Sequence, residues 1–77
     1  MELRKREMFG LIILEAKKGN RKRRFFIKPL EGTYGAGVVV KDYGPEGEEE
    51  VISGLFFGLM FEIIVESCVE EFEKEIA

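Results

Sequence analysis

The chain has 77 residues, 45% of them apolar and 35% charged, with one cysteine, no histidine and a formal net charge of −3. A chain of this size forms one domain and buries only roughly 60 to 65% of its unfolded surface. A lone Cys68 forms no internal disulfide, and without imidazole it falls short of the usual ligand set of structural zinc.

Catalysis is poorly provided for in the same way. The only serines, Ser53 and Ser67, have no imidazole to activate them, Cys68 has no general base, and no carboxylate pair stands outside a solvated charge run. The expectation is a protein without enzymatic activity, cofactor or metal. A domain this small with neither disulfide nor metal leaves oligomerisation as its remaining staple. The absence of Gln and Trp, with Asn20 the single asparagine, matches proteins selected for high temperature.

The modest net charge conceals a bipolar molecule. Residues 1–30 carry ten of the 12 basic side chains, and residues 31–77 carry twelve of the 15 acidic ones. Opposite fields of this kind steer association.

Residues 1–7, MELRKRE, read as a charged N-terminal arm. The apolar run that follows, Met8 to Leu14, has no small-residue cleavage site after it, so no signal peptide is expected and the cytoplasm is the expected compartment. From Met8 to Lys17 the sequence is apolar on both alternating faces, as suits a central strand covered on two sides. Gly19-Asn20 tolerates positive φ and predicts a tight hairpin turn. Arg23 to Lys28 then forms a second strand, ended or held at an edge by Pro29, which cannot donate to a ladder.

The loop Glu31 to Gly37 is glycine-rich but departs from G-x-G-x-x-G spacing and opens no helix, so its glycines serve turn geometry. Val38-Val39-Val40 starts a third strand reaching Tyr43, and residues 44–47 make a turn. Glu48, Glu49 and Glu50 stand where the positive end of a helix dipole favours carboxylates, and one helix of roughly 43 Å is expected over residues 48–76. Its apolar stretch Val51 to Val65 is about 15 residues long and contains Glu62, short of the roughly 20 that span a bilayer, so no membrane contact is expected.

That helix is apolar on two sides in its first half. One seam runs Gly54, Gly58, Phe61, Val65, Cys68, Phe72 and the other Ile52, Phe56, Leu59, Ile63. One sheet covers one side only, so a second copy is the expected cover, with Ile52, Gly54, Phe56, Gly58, Leu59, Phe61, Ile63, Val65 and Phe72 as the dimer interface. The expected architecture is therefore α+β: a two-layer βββα domain with an arm at 1–7, a three-stranded antiparallel meander at 8–43, a turn at 44–47 and a helix at 48–76 that mediates a homodimer.

Function is read from surfaces. The hairpin carries Lys17, Lys18, Arg21, Lys22, Arg23, Arg24 and Lys28 beside Phe25 and Phe26, a basic ribbon able to neutralise phosphates or to lie along the acidic helix of another subunit at Glu66, Glu70, Glu71, Glu73 and Glu75. The leading expectation is a small non-catalytic interaction and assembly protein whose partner is itself. Nucleic acid, or an acidic protein surface, is the alternative partner of the basic hairpin.

Overall fold

The computed structural model describes residues 2–75, so the expected helix end at Ile76 lies outside the described residues. Five strands, β1 (Glu2–Met8), β2 (Leu11–Lys18), β3 (Arg21–Pro29), β4 (Gly35–Gly44) and β5 (Gly47–Phe57), precede one helix, α1 (Leu59–Glu75). The strands form a single antiparallel sheet in sequential order β1-β2-β3-β4-β5, which leaves β1 and β5 as its edges. The three-stranded meander expected from the sequence is thereby corrected to five strands.

The first additional strand is the charged arm. The expected strand from Met8 to Lys17 is broken at Phe9 and Gly10, both at positive φ (51° and 76°). Two successive residues in that region make the tight hairpin that matches strand twist, and they fold residues 2–8 back along β2. Arg4 then stands opposite Glu15 and Glu2 opposite Lys17, so opposite charges meet across the ladder.

The second additional strand replaces the first third of the expected helix. Gly44 pairs with Gly47 around Pro45-Glu46, turning the chain back along β4. Val51, Ile52, Phe56 and Phe57 suit a pleated sheet, whereas Gly54 and Gly58 each disfavour a helix by about 1 kcal/mol relative to Ala. Glu48, Glu49 and Glu50 therefore face Tyr43, Asp42 and Lys41 across a ladder instead of capping a helix, and an irregularity between Val40 and Lys41 absorbs one extra residue near Val51. Gly58, at φ 61°, turns the chain from strand into helix. The two seams drawn through Ile52, Gly54 and Phe56 are thus not helical, and a dimer mediated by one long two-sided helix is withdrawn with them.

What remains helical has 17 residues, about 26 Å, and lies across one face of the sheet. Phe61, Ile64, Val65, Cys68 and Val69 line the stripe that meets Phe25, Ile27, Ala36, Val38 and Val40, and the buried Phe72 continues it under Arg23. Alternation along β3 decides which side chains join: Arg23, Phe25 and Ile27 are buried, while Lys22, Arg24 and Phe26 are on the other face and less covered. Of the residues expected at a dimer interface, Phe61 and Val65 pack against the protein's own core and Phe72 is buried beneath the Arg23 guanidinium.

Candidate interaction surface

Of the seven basic hairpin residues, two are committed to partners within the molecule, Arg23 in its interior and Arg24 on the bare face of the sheet. Arg23 is 2% exposed; its Nε and Nη2 donate to the two carboxylate oxygens of Asp42 at 2.6 and 2.8 Å, and its Nη1 donates to the carbonyl of Cys68 at 3.0 Å. The guanidinium also lies over the Phe72 ring, 5.5 Å from its centre. This bidentate clamp fixes α1 to β3 and β4 and leaves Arg23 inaccessible to a phosphate. Arg24 donates to Glu15 at 2.7 Å and stacks 5.0 Å from the centre of the Tyr43 ring. Its guanidinium holds the Glu15 carboxyl below the ordinary range, and Glu15 in turn raises Arg24.

The other five are divided between two ends of the hairpin. Lys17, Lys18, Arg21 and Lys22 gather beside the turn, whereas Lys28 is at the far end of β3, about 20 Å from Lys22 at strand rise. The cationic turn has an acidic neighbour. A cleft of about 550 Å³ separates it from the β4–β5 turn and is lined by Arg21 on one side and by Asp42, Glu46, Glu48 and Glu49 on the other. Lys41 extends the mixed pattern by donating to Glu48 at 2.9 Å, which raises the lysine above its usual value. The result is an alternation of signs and not a continuous basic ribbon.

The face of the sheet away from α1 is covered by no other described element. Its central cross-strand row runs Arg6, Ile13, Phe26, Val39, Ser53, and the next runs Arg4, Glu15, Arg24, Lys41, Glu50. The centre of the first row is thus apolar, between Arg6 and Ser53 at its ends, and the second row is a charge lattice. The double-sided apolar character of Leu11 to Leu14, which suits a strand covered on two sides, is met on one side only.

The most exposed apolar surface is at the corner where β5 becomes α1. Among the described residues, Leu55, Phe57, Leu59, Met60 and Ile63 are each more than half exposed, and they fall within nine consecutive positions. Gly35 on β4 helps build this corner: a Cβ there would lie 2.5 Å from the Phe57 ring and 2.9 Å from the Phe56 carbonyl, so only glycine admits the ring. On the helix side, Tyr34 donates its hydroxyl to Glu62 at 2.7 Å and Gly58 N–H donates to the Tyr34 carbonyl at 2.7 Å, pinning the β3–β4 connection to the start of α1. Glu62 raises the Tyr34 hydroxyl above its usual value.

Five of the residues expected at a dimer interface, Ile52, Gly54, Phe56, Leu59 and Ile63, therefore belong to this corner or the strand leading to it, and Gly58 is its hinge. Leu55, Phe57 and Met60 were not legible as surface residues, because a helical reading spread them around a cylinder; Phe26 carried the one visible signal, its adjacency to Phe25. No helix among the described residues is long and apolar enough to cross a membrane. Comparison with protein-family models, curated proteins and solved structures finds no match to this chain.

Proposed function

We propose that this protein is a small non-catalytic assembly protein that self-associates through the β5–α1 corner. The observation that carries this reading is the density of exposed apolar side chains between Leu55 and Ile63 on a domain of 77 residues. Exposed apolar side chains at this density mark contact sites, and a domain this small gains most from covering them. The sheet supports the same reading, since its second face has no layer of its own.

Nucleic-acid binding through Lys17, Lys18, Arg21 and Lys22 is the second reading, favoured by the grouping of four cations at one hairpin turn. Burial of Arg23, pairing of Arg24 and the adjacent carboxylates of the β4–β5 turn weigh against it, because a polyanion meets both signs at once.

Sedimentation equilibrium tests the pair of readings, run alone and with duplex DNA and single-stranded RNA at low and moderate salt. A dimer indifferent to nucleic acid is the expected result. A monomer that forms a salt-sensitive complex with either polymer overturns self-assembly in favour of the basic hairpin.

A further inference from the structure

The two edges of the sheet differ in chemistry. β1 exposes all seven of its residues and places Arg4, Lys5 and Arg6 in the middle. Charged residues at that density are how proteins protect an edge from pairing with another chain. β5 has the opposite character: from Val51 to Phe57 it is VISGLFF, with no charge and no proline, and among the described residues no strand lies beyond it.

We infer that this edge is the assembly seam, pairing antiparallel with the same strand of a second copy about a two-fold axis through Gly54. The proposal rests on the self-association reading and gives it a register. In that register Val51 faces Phe57 of the second copy, Ile52 faces Phe56, Ser53 faces Leu55, and Gly54 faces Gly54. Ile52, Gly54 and Phe56 stand opposite the buried Val40, Val38 and Ala36 on the helix side, while Ser53 and Leu55 stand opposite Val39 and Gly37 on the bare side. Directly opposed residues of an antiparallel pair share a face, so the register matches like with like from Ile52 to Phe56, while Val51, packed against the core beside the irregularity, meets Phe57 at the end of the seam. Both helices lie on one side of the joined sheet and both bare faces on the other.

Charge selects the same arrangement. Glu50 of one copy falls opposite Gly58 of the other, so the two sets of carboxylates are separated by about 26 Å of strand, well beyond the roughly 8 Å over which charges are felt at physiological salt. Each set then meets the start of the other copy's α1, where the helix dipole is positive. Pairing β1 with itself about Lys5 does the reverse, placing Lys5 on Lys5 and Arg4 on Arg6. Pairing β1 with β5 puts Arg4, Lys5 and Arg6 opposite Glu50, Glu49 and Glu48, but β1 then ends at Ile52 and leaves Ser53 to Phe57 uncovered. Such exposed ion pairs contribute little.

The test uses the full chain with Cys68→Ala, carrying either Ser53→Cys or Leu55→Cys, each verified as folded by circular dichroism. Opposed Cα atoms in the proposed seam are about 4.5 to 5.5 Å apart, within disulfide reach, whereas identical positions are displaced by two residues to roughly 8 Å, beyond it. Mild oxidation is expected to cross-link the mixture of the two variants into a heterodimer at least about tenfold faster than either variant alone. Phe26→Lys, two strands in from the edge on the bare face, is expected to leave the dimer intact by sedimentation equilibrium. A dimer without preferential 53-to-55 cross-linking, or one abolished by Phe26→Lys in a folded protein, overturns the seam but keeps self-association. A series of species that grows with concentration overturns it in favour of β1 on β5, and a monomer overturns both the seam and the assembly reading.

Discussion

Arg23 shows how one residue converts local sequence into tertiary order. Its clamp on Asp42 and on the Cys68 carbonyl joins a buried guanidinium to a partly buried carboxylate, and removing the arginine costs up to about 3 kcal/mol, the low end for a buried pair, because Asp42 keeps some contact with water. Arg23→Ala is expected to lower the unfolding free energy measured in urea by that amount, and Arg23→Lys by a smaller one, since an ammonium does not reproduce the two-pronged contact. Glu15 gives a pH signature. Its carboxyl is held down by Arg24, so the folded state favours the charged form and the pair stabilises at any pH above the unfolded value of about 4.3. That stability is lost as pH falls through the lower folded value. Thermal melts from neutral to acid pH should show a smaller acid loss in Glu15→Gln than in the parent protein. Burial pushes the Cys68 thiol up, so labelling by a thiol reagent at neutral pH is expected to follow unfolding and not surface exposure.

At the level of elements, the chain was readable where periodicity had one interpretation. The hairpin turn at Gly19-Asn20 and the valine strand are stated by local chemistry alone, and the second half of the helix by an apolar stripe at helical spacing. Two elements were not. In RRFF, alternation fixes that one of each adjacent pair points inward but not which, so the buried Arg23 and the surface Arg24 looked alike. In Glu48 to Phe57, three carboxylates followed by an apolar run satisfy both a helix start and an edge strand, and only long-range pairing with β4 decides between them. That pairing depends on Gly35. Gly35→Ala forces the Phe57 ring and the β5 backbone away from β4 and is expected to destabilise the fold by about 1 to 3 kcal/mol, measurable by chemical denaturation, while Gly37→Ala, whose Cβ meets only ordinary contacts, is expected to cost less.

The whole molecule distributes its chemistry along its length. Charged turns gather at the end formed by the β2–β3 and β4–β5 hairpins, and apolar side chains gather at the opposite end around Phe9, Tyr34, Phe57 and Leu59. An assembly built from the apolar corner is expected to be nearly indifferent to ionic strength, with a dissociation constant changing less than about threefold between roughly 0.1 and 1 M salt, a range over which the screening length falls from about 10 to 3 Å. Replacing Lys17, Lys18, Arg21 and Lys22 together by Ala is expected to leave that constant unchanged in the same measurement. The bipolar charge seen in the sequence is joined across its two halves by Arg23 on Asp42, while Arg24 on Glu15 and Lys41 on Glu48 pair within a half.

One guarded edge and one open edge also give each molecule a valence of one. A sheet open on both sides polymerises, and a sheet guarded on both stays alone. With arginine and lysine along β1, a molecule joined to a neighbour through the proposed β5 seam would have no unguarded strand left to offer, so growth would end at two copies, with the short charged strand β1 as a chain stopper against fibre formation.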